Sequence, residues 1–180
     1  MPNWCSNTVL IQGESEEIGK LLMFVEQDSN PFAFNKIIVM PPQLREQSSP
    51  VREDDVAKDN VDKYGAKDWY DWSVKNWGTK WDSNSTQIIY DRTTPMMPGD
   101  RTVRIEFETA WSPPMPVYEA LANMFPNTNI FASYNEDGVG FSGYIMYKGG
   151  KSVSEKHYDM SLSEVSIILQ ADESVFDYVC

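Results

Sequence analysis

The side chains best suited to chemistry are few and scattered. His157 is the single histidine and has no cysteine partner at ligand spacing, so no zinc site can be read. Cys5 and Cys180 lie at opposite ends of the chain, which points to free thiols in a reducing compartment. The acid pairs Asp54-Asp55 and Glu136-Asp137 fall in charged or turn-like stretches, where solvation accounts for them, and nothing sets two carboxylates across one cleft. Gly138, Gly140 and Gly143 have the wrong spacing for a phosphate loop or a dinucleotide fingerprint. With Met1 removed, Pro2 would offer a secondary amine as base or nucleophile, but only in a pocket that no motif supplies. The sequence therefore yields no catalytic residue, no metal ligand and no cofactor motif.

One constellation remains. Asn76-Trp77-Gly78-Thr79-Lys80-Trp81-Asp82 and Thr109-Ala110-Trp111-Ser112-Pro113-Pro114 hold half of the six tryptophans. Gly78 suits a positive-φ turn that ends a helix and sends the chain into a strand, with a large ring on either side. Two readings stand. In the first the indoles plug the end of a small core, each removing a large apolar area from water. In the second Trp77, Thr79, Lys80, Trp81, Asp82 and Trp111 line a binding pocket, with Lys80 as the partner of an anion. The strict alternation of Val103, Ile105, Phe107, Thr109 and Trp111 with polar residues favours the first reading for Trp111, which is expected in the core.

The elements that must position this constellation follow from periodicity. Residues 4–12 alternate and close at Gly13 as a half-buried strand. Ser15 is the expected cap of a helix running to about Gln27, with Ile18, Leu21, Leu22 and Val25 on one face. Residues 32–38 read as extended up to the breaker Met40-Pro41-Pro42, and 43–67 as an excursion outside the main core, low in apolar residues and mobile. Asp68 can cap a helix through Trp69, Trp72 and Asn76. Strands are expected at 87–90, 102–111, 130–134 and 139–147, with a further edge strand over 152–158. A helix after Pro116 should bury Val117, Leu121 and Met124. Asn135-Glu136-Asp137-Gly138 reads as a hairpin turn, and Gly140 and Gly143 as a bulge or a close approach of another backbone.

A sheet to which two helices return is the split β-α-β arrangement: an α+β, ferredoxin-like, mainly antiparallel sheet. At 180 residues the chain fits a single domain, 1–180, with an insertion at about 43–67 and an acidic extension at about 150–180. No apolar run approaches the length of a membrane span and no signal-peptide pattern opens the chain, so a cytoplasmic protein is expected. The net charge of −12 opposes direct binding to a nucleic-acid backbone. Acids crowd the end of the chain, where Asp172, Glu173 and Asp177 are candidate contacts for a basic partner.

The opening Met1-Pro2-Asn3-Trp4-Cys5-Ser6-Asn7, the 76–82 and 109–114 segments and Phe125-Pro126 resemble the YubB ferredoxin-like family of phage and plasmid proteins, over most of residues 1–147. The resemblance implies a ferredoxin-like fold, a mobile-element origin and a bacterial cytoplasm, and it brings no activity with it. Two functions stand. One is a non-enzymatic binding module using an acidic and aromatic surface against a host protein that acts in defence or handles nucleic acid. The other is a small-ligand, nucleotide-like binder or enzyme built on the tryptophan-rich pocket.

Overall fold

The computed structural model describes residues 2–52, 54–93, 99–163 and 166–167. The elements are β1 (Trp4–Glu14), α1 (Ser15–Val25), α2 (Phe34–Ile37), α3 (Pro42–Arg45), α4 (Asp54–Tyr64), α5 (Trp69–Asn76), β2 (Asn84–Thr93), β3 (Asp100–Ala110), α6 (Met115–Met124), β4 (Asn129–Glu136), β5 (Phe141–Lys148) and β6 (Lys151–Tyr158). The strands form one six-stranded sheet in the order β2-β3-β1-β4-β5-β6, and every neighbouring pair is antiparallel. Strands β1 to β4 with α1 and α6 make the split β-α-β unit, and β5 and β6 extend it beyond β4. This is the α+β, ferredoxin-like fold that the residue pattern implies.

The alternation in β1 decides which face is which. Val9 and Ile11 point into the main core with Ile18 and Leu21 of α1, Val117 and Leu121 of α6, Ile105 of β3 and Ile130 of β4, all essentially without solvent contact. Leu10 points the other way and joins Phe131, Tyr144, Met146 and Ile167 in a second, smaller cluster. The sheet is thus covered by helices on one face and, across β1, β4 and β5, by the segment that follows β6 on the other.

Among the described residues one buried side-chain polar atom, the Tyr158 hydroxyl, has no partner, whereas the group at the centre of the frame is fully paired, as the cost of leaving it unpaired requires. Asn7 donates to the Cys5 carbonyl at 2.8 Å and to the Thr109 hydroxyl at 2.9 Å, and accepts from the Tyr118 hydroxyl at 2.9 Å. This ties β1, β3 and α6 together at the centre of the domain. At Gly143 an added Cβ would lie 2.4 Å from both the Lys156 carbonyl and the Tyr134 hydroxyl, so the expected close approach is real.

Several expectations need correction. The 32–38 stretch is not extended: it carries the short helix α2, whose first N–H groups bond to the side chain of Asp82, a partner 48 and 47 residues away that no local pattern reveals. Ser15 is not a cap; Glu14 holds that position without a side-chain bond, and the Ser15 N–H bonds to the Gly99 carbonyl. The 87–90 strand is longer, Asn84–Thr93, with register shifts at two points. Met124 ends α6 exposed, and the β4–β5 turn falls after Glu136, whose carboxylate accepts from the N–H groups of Gly138 and Val139. The excursion, which carries α4 and most of α3, is not wholly outside the main core: Leu44 and Ala66 enter it, and the buried Asn60 amide bonds to Gln47 and to the Lys67 carbonyl.

Candidate functional site

The site begins with α5. Asp68 caps it, accepting from the N–H groups of Tyr70 at 3.0 Å and Asp71 at 3.1 Å, as its place before an aromatic run predicts. The helix ends at Trp77, and Gly78 turns the chain at φ +80°, in the left-handed region where a Cβ is penalised. A Cβ there would also lie 2.9 Å from Pro116 and 3.2 Å from the Pro113 carbonyl.

This tight passage joins the two tryptophan-bearing segments. The Thr79 hydroxyl donates to the Ala110 carbonyl at 2.8 Å, the Ser112 hydroxyl to the Gly78 carbonyl at 2.6 Å, and the Thr109 hydroxyl to the Ser112 carbonyl at 2.8 Å. The partnership expected of 76–82 and 109–114 is therefore made of hydrogen bonds, and Thr79, buried, faces inward to make one of them.

The tryptophans part company here. Trp77 is core: its ring meets Trp72 edge-on at 5.5 Å and Phe34 at 6.2 Å, and its N–H donates to the Ile38 carbonyl at 2.9 Å. Trp111 is not in the core, contrary to the alternation of β3. Its backbone takes φ +71°, its N–H bonds to the Asn3 carbonyl, and the ring turns outward with 42% of its surface exposed. The reversal at one residue breaks the two-residue period and sends the side chain to the opposite side from where strand parity would place it. Trp81 is exposed to a similar extent, 38%, and packs on Trp4 at 6.1 Å.

Lys80 lies among these rings. Its ammonium is 4.5 Å from the centre of the Trp81 ring, 5.1 Å from that of Trp111 and 5.7 Å from that of Tyr70. Such contacts hold a cation by the ring quadrupoles, at about 0.5–1 kcal/mol each where exposed. Tyr70 and Trp111 themselves meet edge-on at 6.3 Å. The result is a platform of Trp4, Tyr70, Trp81 and Trp111 around one lysine. Trp4 and Tyr70 were missed by sequence reasoning; Tyr70 lies one residue past the helix start on the face away from Trp72, which is the signal that could have found it.

Beside the platform opens a cleft of about 490 Å³, walled by Trp69, Trp77, Trp81 and Met40 and edged by Lys80 and Arg45. Asp82 borders it but is structurally committed, accepting from the N–H groups of Phe34 at 2.6 Å, Asn35 at 3.1 Å and Ser83 at 2.8 Å. Burial raises its carboxyl above the usual value, against these bonds and the Arg45 charge, which pull it down. Asp172, Glu173 and Asp177 lie outside the described residues. Among the described residues no group of three metal-ligating side chains converges, and no helix is long and apolar enough to cross a membrane.

Fold and site together define an antiparallel ferredoxin-like domain with an aromatic platform at one end of its sheet. Residues 76–175, which begin at this same turn, match the profile described as the ferredoxin-like domain in Api92-like protein, and the chain belongs to that family. It is also similar to the crystal structure of protein api92 from Yersinia pseudotuberculosis, with 12% identity and a TM-score of 0.55 over 88% of this chain and 98% of that one, a likeness of fold. No curated protein matches the chain.

Proposed function

We propose that this chain is a non-enzymatic binding module, an accessory protein of a phage or plasmid, that engages a basic protein of its bacterial host in the cytoplasm. The motif resemblance to proteins of mobile elements supports the origin. The observation that carries the binding role is Trp111: the backbone adopts a left-handed conformation that costs about 1–2 kcal/mol for a residue with a side chain, and the outcome is a large ring placed in solvent beside Trp81. Rigid Trp and Tyr anchors of this kind dominate protein interfaces. The net charge of −12 favours a basic target and speeds encounter with it, which suits an inhibitor of a defence or nucleic-acid-handling protein.

The test is affinity capture from bacterial host lysate with the parent chain and with Trp81→Ala and Trp111→Ala. A basic host protein retained by the parent, released by rising salt and lost in both variants is the expected result. Equal capture by parent and variants, or salt-independent capture, would refute the platform as the contact.

A further inference from the structure

The Lys80 ammonium has ring faces as its contacts, and among the described residues neither a carboxylate nor a hydrogen-bond acceptor meets it. In this strongly acidic protein Lys20, Lys58, Lys63, Lys67 and Arg101 each pair with an acid, whereas Lys80, like Lys36 and Lys156, lies over aromatic rings, and at Lys80 three rings meet one ammonium. A half-buried cation fixed by three rings and left without a counter-ion is pre-organised for an anion that comes from outside.

That cation edges the aromatic cleft, and the cleft has the size of a small-molecule site, within the range of about 300–1,000 Å³. Arg45 is the second cation on its rim, with one guanidinium N–H bonded to the Asn35 side chain at 2.5 Å. The rest of the lining divides by chemistry. Trp69 and Trp81 offer ring faces above a floor of buried Trp77 and Met40, while Gln27, Asp28 and Asn30 supply amide and carboxylate groups. Asp82, held by three backbone N–H groups, feels the Arg45 charge, which leaves Lys80 as the cation of the rim that no carboxylate meets among the described residues.

We propose that this cleft binds a purine nucleoside 5′-monophosphate. The base lies against the indoles, where stacking is worth about 1–3 kcal/mol per base. The phosphate, which carries roughly −1.5 to −2 at neutral pH, takes its charge balance from Lys80 and Arg45. An exocyclic amine of the base finds an acceptor in the Asp28 carboxylate, since the Gln27 and Asn30 oxygens already accept from Asn35 and Phe32. This site shares Lys80 and Trp81 with the outward-facing platform, but its occupancy does not depend on a protein partner.

The experiment is calorimetric titration with adenosine and guanosine 5′-monophosphates, the matching nucleosides, and indole-3-acetate as an aromatic carboxylate. At least one nucleotide is expected to bind with a dissociation constant below about 1 mM, and its nucleoside at least tenfold more weakly. Lys80→Ala and Arg45→Ala should each weaken binding about tenfold, with an unchanged thermal melt for Arg45→Ala and a lowered but still cooperative one for Lys80→Ala, which loses its ring contacts, and Lys80→Arg should restore binding. Silence from both nucleotides overturns the proposal, as does a nucleoside that binds as well as its phosphate. Unchanged affinity in both alanine variants would place any binding elsewhere and equally overturn it. Binding of indole-3-acetate alone would replace the nucleotide with an aromatic carboxylate.

Discussion

Replacing Trp111 tests the outward turn directly, because two substitutions at this position should rank in an order that an ordinary strand residue would not give. The ring keeps a little over half of its surface covered, 42% being exposed. A tryptophan covered to that degree removes about 140 Å² from water. At about 25 cal/mol per Å² that is roughly 3.5 kcal/mol, reduced to about 2–3 kcal/mol for a compact unfolded chain. Contact with the Lys80 ammonium adds about 0.5–1 kcal/mol. Trp111→Ala should therefore cost about 3 kcal/mol, since alanine keeps the penalty of φ +71° while losing the ring. Trp111→Gly loses the same contacts but relieves about 1–2 kcal/mol of left-handed strain, partly offset by about 0.5–1 kcal/mol of extra freedom in the unfolded chain. Glycine should thus be the milder change by about 0.5–1 kcal/mol. Urea unfolding of the two variants side by side measures the difference, with the slope confirming that the same surface is exposed in each. If glycine proves worse than alanine, as in a regular strand, the left-handed turn does not exist and the platform falls with it.

Gly143→Ala should destabilise by about 1–3 kcal/mol or more and disturb β5–β6 pairing first, since its Cβ would collide with the Lys156 carbonyl and the Tyr134 hydroxyl; amide exchange across β6 would report it. Thr79→Val removes the donor to the Ala110 carbonyl and should cost about 1–3 kcal/mol in urea unfolding, with no change if that bond is immaterial. The Cys5 thiol is buried and pushed up to about 12 from an ordinary 9.0, so the folded chain holds its proton more firmly than the unfolded chain does. That contribution is complete below pH 9 and disappears as pH rises towards 12, at up to about 1.4 kcal/mol per pH unit. Urea unfolding between pH 8 and roughly pH 11 should show a steeper decline in the parent than in Cys5→Ala, and parallel curves would contradict it.

The regular half of the fold could be read directly from residue patterns. Val9 and Ile11 set the inner face of β1 by period two, Ile18, Leu21 and Val25 set the inner face of α1 by helical spacing, and both held because local period and burial agree there. Asp68 was legible for a different reason: a cap acts on N–H groups two and three residues away. What escaped was non-local. Helix α2 owes its start to Asp82, nearly fifty residues later, and Trp111 owes its exposure to one backbone rotation that side-chain alternation cannot register. The candidate site shares that division. Lys80 and its tryptophans were marked by their spacing, but the separation of Trp77 into the core from Trp81 and Trp111 on the surface depended on how two distant segments are pinned together.

The position of β1 in the sheet carries a consequence for how the protein is made. It precedes the other five strands of the sheet in the chain, yet it pairs on one side with β3, Trp4 opposite Ala110, and on the other with β4, Cys5 opposite Glu136. At about 5–20 residues per second, its neighbours arrive on the order of ten seconds after it does. Through that interval Val9 and Ile11 have the core side chains of α1 to α5 to meet, while Leu10, destined for the opposite face of the finished sheet, has none of its partners. The nascent chain must therefore carry an unpaired apolar strand until β3 is made, and the centre of the sheet closes with β4, before β5 and β6 are added at its edge.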